Sequence, residues 1–177
     1  MRTVRLRRRF GLVIAPFNTV LHLYAREDLD QFFTRVQHHL TTGGRFVFDF
    51  AIPDPTLLAR NPNRRFGAPR FRHPTTGQIV SYAERFEYDA VRQLLLVWMD
   101  FSPVDGQQPW TVPLTHRQYF PQEMAAYLHF SGFRDQTWSA DFGDQPPSAD
   151  ADWLTVACRL GSKKTRRAQS GGPRHHV

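Results

Sequence analysis

Two short apolar runs with one amphipathic stretch between them constrain this chain more than any other feature. Phe10-Gly11-Leu12-Val13-Ile14-Ala15 is apolar, includes β-branched residues and stops at Pro16. Such a run reads as a strand buried on both faces. From Arg26 to Leu40, the residues Leu29, Phe32, Phe33, Val36 and Leu40 recur at helical spacing and make one apolar face. Glu27, Asp28 and Asp30 crowd the first turn, where the helix dipole favours negative charge. Gly43-Gly44 reads as the helix C-cap. Arg45 to Ile52 is the second apolar run, and it ends at Pro53-Asp54-Pro55. Strand, helix and strand within about 45 residues predict a right-handed crossover between parallel strands.

The rest of the chain departs from that rhythm. Asn61 to Gly77 is rich in Pro, Arg and Gly and reads as a loop. Ile79 to Tyr88 and Gln93 to Phe101 predict two strands joined through Asp89-Ala90-Val91-Arg92, and Pro113 to Tyr119 can return as a third. This is an antiparallel insertion. Pro121 opens a second helix at its first position, with Met124, Tyr127 and Leu128 inward and Gly132 at its close. Phe133 to Ala140 and Trp153 to Leu160 predict a final hairpin across the acidic loop Asp141 to Asp152.

The formal net charge of +7 suggests a nucleic-acid partner until the charges are located. Arg2, Arg5, Arg7, Arg8 and Arg9 lie in the first nine residues; Lys163, Lys164, Arg166, Arg167 and Arg174 lie in the tail. Between them, residues 10–160 carry 13 arginines against all 16 acids, so the body is mildly acidic. The expected organisation is a basic lead-in over 1–9, a body over 10–160 and a disordered basic tail over 161–177. Nucleic-acid binding through the ends ranks last among the functional readings.

Several chemistries lack their motifs. There is no G-x-G-x-x-G, P-loop, H-E-x-x-H or G-x-S-x-G. His38 and His39 are adjacent, so their rings diverge by about 100° around a helix; they read as solvated, and no metal site is expected. Cys158 is the only cysteine and reads as a buried small hydrophobe. No membrane span or signal peptide is expected, and the setting is read as cytoplasmic. The informative place is the end of the first strand. Asn18, Thr19 and His22 follow it, and the second strand ends in a polar pair, Asp49 and Asp54, on the same side. In open α/β sheets ligands bind outside the carboxyl ends of parallel strands. Asn18, His22 and Asp49 are therefore aimed at one crevice.

These residues carry a resemblance. Phe10-Gly11-Leu12-Val13-Ile14 through Phe17-Asn18-Thr19-Val20-Leu21-His22-Leu23 resembles the fourth strand and following loop of class I S-adenosylmethionine-dependent methyltransferases. Glu27-Asp28-Leu29 to Leu40, with Gly43-Gly44-Arg45-Phe46-Val47-Phe48-Asp49, resembles the family's next helix and fifth strand. Asn61 to Tyr119 resembles the antiparallel insertion of its small-molecule N- and O-methyltransferases. Phe120-Pro121-Gln122-Glu123-Met124 with Gly132-Phe133 resembles the helix before the sixth strand, and the closing hairpin resembles the reversed final strand. The implied fold class is α/β: a partial Rossmann-like methyltransferase sheet, strands 4 to 7 of the family, with an antiparallel β insertion over about 61–119.

Two departures matter. Gly11 stands where the family usually has Asp, and the family's first three strands, with their glycine-rich cofactor loop, have no counterpart here. The chain resembles the C-terminal part of a methyltransferase domain, and a truncated or misplaced start is the expectation. By resemblance, Ala15, Pro16 and Phe17 line the methyl donor, S-adenosylmethionine. Asn18 and His22 lie near the reacting centre. Asp49, Arg117 and Tyr119 face a small-molecule methyl acceptor. Donor binding by this chain alone is expected to be weak or nil. Phe10 to Ala15 would lie unpaired, open to a homodimer or a partner chain. An inactive remnant, or a partner subunit completing another chain, is the alternative.

Overall fold

In the computed structural model of the chain, which describes residues 1–161, the two apolar runs form β1 (Phe10–Ala15) and β2 (Leu40–Ala51). They pair in parallel, with Val13 beside Phe46 and Ala15 beside Phe48. The amphipathic stretch between them is α1 (Arg26–His39). A four-residue helix α2 (Pro55–Leu58) follows, capped by the Asp54 side chain. Four antiparallel strands come next: β3 (Phe66–Arg72), β4 (Ile79–Asp89), β5 (Leu94–Pro103) and β6 (Trp110–Arg117). Helix α3 (Pro121–Phe130) and the hairpin β7 (Phe133–Ala140) and β8 (Trp153–Leu160) complete the described residues.

Two sheets result. The first runs β1-β2-β8-β7, so the last strand inserts beside β2; the second is β3-β4-β5-β6. Phe46, Phe48 and Phe50 of β2 and Leu154, Val156 and Cys158 of β8 point to one face of the first sheet. Leu29, Phe32, Phe33 and Val36 of α1 and Met124 and Leu128 of α3 cover that face. Aromatic rings fill the seam: Phe33 lies 5.6 Å from Phe133, and Phe46 lies 5.8 Å from it. The offset and edge-on ring contacts add to the area the rings bury.

Several expectations need correction. Asn61 to Gly77 is not all loop, since β3 lies within it. It is an exposed edge strand with Pro69 at a register break between Ala68 and Phe71, so the Pro-Gly-Arg composition hid it. The third insertion strand ends at Arg117, which leaves Tyr119 beyond it. Gly43-Gly44 is not the helix cap: α1 ends at His39, and the glycines lie inside β2 at an irregularity opposite Phe10 to Leu12. Gly43 has φ +74°, and a Cβ on Gly44 would sit 3.0 Å from the Thr41 carbonyl oxygen. His39 is buried rather than solvated. Its Nδ1–H donates to the Arg35 carbonyl at 2.7 Å, and its Nε2 accepts the Leu6 N–H at 2.9 Å. That bond anchors the basic lead-in against α1, as does the Arg2–Asp28 ion pair. The basic tail lies at 162–177, outside the described residues. Among the described residues no helix is long and apolar enough to cross a membrane.

Two outcomes check this packing. Phe46→Ala should cost about 3–5 kcal/mol in a urea unfolding curve, the range for deleting a core aromatic. Burial pushes the Cys158 thiol up to about 12. Iodoacetamide at pH 8 should therefore leave native protein unlabelled and label it fully in denaturant.

Candidate functional site

The carboxyl end of β1 is held in an uncommon backbone shape. Phe17 has φ 63° and Asn18 has φ 58°, two successive left-handed residues. Asn tolerates that region; Phe enters it at a cost. Two such residues in a row turn their N–H groups to one side and make a small anion cradle. The anion is internal. Phe17 N–H donates to Asp49 Oδ2 at 2.7 Å, and Asn18 N–H donates to Asp49 Oδ1 at 2.9 Å. Asn18 answers by accepting the Ala51 N–H on its Oδ1 at 2.8 Å. The ends of β1 and β2 are thereby laced together across the loop.

The lacing fixes where the next residues run. Thr19–His22 form a short 3-10 turn, with Val20 and Leu21 buried and His22 exposed. The turn abuts the carboxyl end of β6. His22 meets His116 edge to face, with ring centroids 5.0 Å apart. Tyr119 Oη–H donates to the Leu23 carbonyl at 2.5 Å, and Tyr24 Oη–H to the Thr115 carbonyl at 3.1 Å. Burial lowers the pKa of His116, and the neighbouring His22 lowers it further. What this seam presents chemically is an exposed imidazole, that of His22, at the strand ends.

The predicted residues divide. The structure brings Ala15, Pro16, Phe17, Asn18, His22 and Asp49 to one end of the first sheet. Phe17 is 86% exposed and free to contact a ligand. Asp49 is buried, and both its oxygens serve backbone N–H groups, so it positions the loop rather than facing an acceptor. Tyr119 is fully buried and ties the loop to the insertion; burial raises its hydroxyl above the ordinary phenol range. Arg117 donates to Glu123 Oε1 at 2.9 Å and to the Gln118 carbonyl, which turns it inward too. Nothing in the sequence sets His116 apart from the other scattered histidines; only the pairing of β6 with the turn does. Among the described residues no group of three or more His, Cys, Asp or Glu gathers as a metal site.

No protein-family model matches the chain, and a search of curated proteins finds no match. Solved structures do match. A S-adenosylmethionine-dependent methyltransferase from Clostridium acetobutylicum superposes with a TM-score of 0.73 at 18% identity, over 91% of this chain and 62% of that one. The CcbJ methyltransferase of Streptomyces caelestis gives 0.75 at 19% identity, over 91% and 61%. CalS10, an amino pentose methyltransferase from Micromonospora echinaspora, gives 0.66 at 17%, over 90% and 62%. The likeness shows the fold, that of class I methyltransferases. The chain spans about three-fifths of the length of each of these structures.

Asp49→Ala leaves two N–H groups without their carboxylate. It should lower stability by about 2–3 kcal/mol, the worth of a lost charge-assisted pair. Amide exchange at Phe17 and Asn18 should quicken with it; unchanged exchange there would sink the positioning role. His116 supplies a pH test. Its pKa is lowered below 6.5 in the fold, so the unfolded chain binds the extra proton first. Stability is therefore complete above that value and falls as pH drops through it. His116→Gln should flatten the dependence of the urea midpoint between pH 7.5 and 5.

Proposed function

We propose that this chain belongs to the S-adenosylmethionine-dependent methyltransferases acting on small molecules and contributes the acceptor side of the reaction. The observation that carries the reading is the seam at the carboxyl ends of β1 and β6, where exposed His22 lies against His116. In this reading His22 takes the proton that an acceptor hydroxyl or ammonium must lose. Asn18 holds the Ala51 N–H through its side-chain oxygen, and in this reading its amide N–H₂ serves the acceptor. Asp49 and Tyr119 hold the loop and the insertion in register, so they act by positioning. Arg117 steadies the start of α3 through Glu123. The amino pentose acted on by CalS10 makes an amine-bearing sugar a fitting acceptor class.

The residues present do not make a whole site for S-adenosylmethionine. Ala15, Pro16 and exposed Phe17 offer one apolar wall. The nearest carboxylate, Asp49, is already occupied by its own backbone, and the Pro16 carbonyl accepts the Thr19 hydroxyl at 2.5 Å. No side chain of that wall is left to grip a ribose or a charged amino-acid end. When bound, the cofactor would supply the methyl group.

Calorimetry with S-adenosylmethionine on the chain alone should show no binding tighter than millimolar; a sub-millimolar constant would overturn the one-walled reading. Glucosamine at millimolar levels should shift the imidazole NMR signals of His22 and His116, and His22→Ala should abolish the shift at His116. Perturbation elsewhere with none at this pair would remove the acceptor role.

A further inference from the structure

The second sheet turns one face to the seam and carries that face well beyond it. Side chains alternate along a strand, so His116 shares its face with Leu114, Val112 and Trp110 of β6. Six residues of strand put Trp110 roughly 20 Å from His116. Tyr82, Phe101 and Trp110 form one cross-strand row there, and Glu84, Met99 and Val112 form the next. The Phe101 and Trp110 rings stack at 5.2 Å with 12° between their planes, and Tyr82 lies 5.0 Å from Phe101. Trp110 and Val112 are 40% and 41% exposed, and the rest of both rows is partly exposed.

Glu84 is out of place on this aromatic shelf. It is the only acid that β4, β5 and β6 put on this face. On the opposite face Asp100 is met by Arg85 and Arg65. Among the described residues Glu84 forms no ion pair. Its partner is the Tyr82 hydroxyl, which donates to Glu84 Oε1 at 2.5 Å. Burial and the Glu84 carboxylate push the Tyr82 phenol up to about 12, so it stays a donor. Two arginines from the segment before β3 lie over neighbouring rings instead. The Arg60 guanidinium is 4.4 Å from the Phe66 ring centre and 4.5 Å from that of Phe86, and Arg64 is 5.2 Å from Phe66.

We infer that this shelf binds an organic ammonium ion carried on an apolar body, with the cation held between Glu84 and the Tyr82–Phe101–Trp110 row. A ligand seated on these rings takes water from the carboxylate, and only a cation offsets that loss. The ring faces attract the same charge, as Phe66 and Phe86 do with Arg60. A neutral ligand gains neither attraction, and an anion is repelled by Glu84. The binding goes beyond the acceptor reading and does not need it. One consequence does rest on that reading: an acceptor that reaches from His22 to the shelf is larger than a single sugar ring.

The test titrates benzyltrimethylammonium into the full chain. The indole N–H signal of Trp110 should move and saturate. The ammonium should bind about tenfold tighter than benzyl alcohol, and benzoate should not bind. Glu84→Gln should weaken the ammonium about tenfold and leave benzyl alcohol unchanged, a split that loss of fold would not produce. Circular dichroism of that variant should hold, since Gln keeps an oxygen for the Tyr82 hydroxyl. Saturation at Trp110 with the His22 and His116 signals unmoved upholds the site, whatever becomes of the acceptor reading. A Trp110 signal that stays in place, equal binding of benzyl alcohol, or an unchanged constant in Glu84→Gln overturns the inference. So does a dimer of the chain that Val112→Lys dissociates, because the shelf would then be taken up between copies.

Discussion

The Asp49 carboxylate is the interaction on which the candidate site depends. It sits at the end of β2, buried, and receives two consecutive N–H groups from the end of β1. Hydrogen bonds to a charged acceptor are stronger than neutral ones, and two of them offset the left-handed backbone at Phe17 and Asn18. With that loop fixed, the 3-10 turn begins at Thr19 and His22 emerges beside β6. An acidic residue near the end of an apolar strand is here an internal brace.

The brace also joins the two sheets. The antiparallel sheet shares few core residues with the first; its own buried centre is Val80, Phe86 and Leu95. What couples them is the seam through residues 19–24, where Tyr119, Tyr24 and the His22–His116 rings meet. Tyr119 belongs to the helical core by burial and to the loop by its hydrogen bond, so it transmits the position of one to the other. A shift of the insertion would be felt at the strand ends without passing through the bulk of the core.

Most of the architecture was legible in the sequence because it rests on periodicity. The strand–helix–strand crossover, the second helix and the final hairpin each carry a clear apolar spacing. Their observed bounds lie within about one residue of those predicted, apart from the early start of β2 at Leu40. The failures share a cause. β3 packs too little of its surface to need an apolar pattern, so composition misled there. Asp49, Tyr119 and Arg117 look like ligand-facing polar groups in a string of letters. Their partners are backbone atoms and a carboxylate that only the fold brings near. His39 reads as solvated from helix position alone, yet the lead-in folds back over it. The resemblance to methyltransferases identified the fold through an ordered set of weak signals. It did not identify which polar groups point outward.

The strand order holds a consequence for how the molecule is made. β8, the last strand of the described residues, lies between β2 and β7 and pairs β2 across more than a hundred residues. Contacts of that separation are closed late, after the loop entropy has been met. Until residues 153–160 leave the ribosome, β2 has only β1 as a strand neighbour among the described residues. The nascent chain must therefore carry β2 with one edge unpaired while residues 52–152 are made. Its burden on chaperones is set by the position of one strand in the sequence.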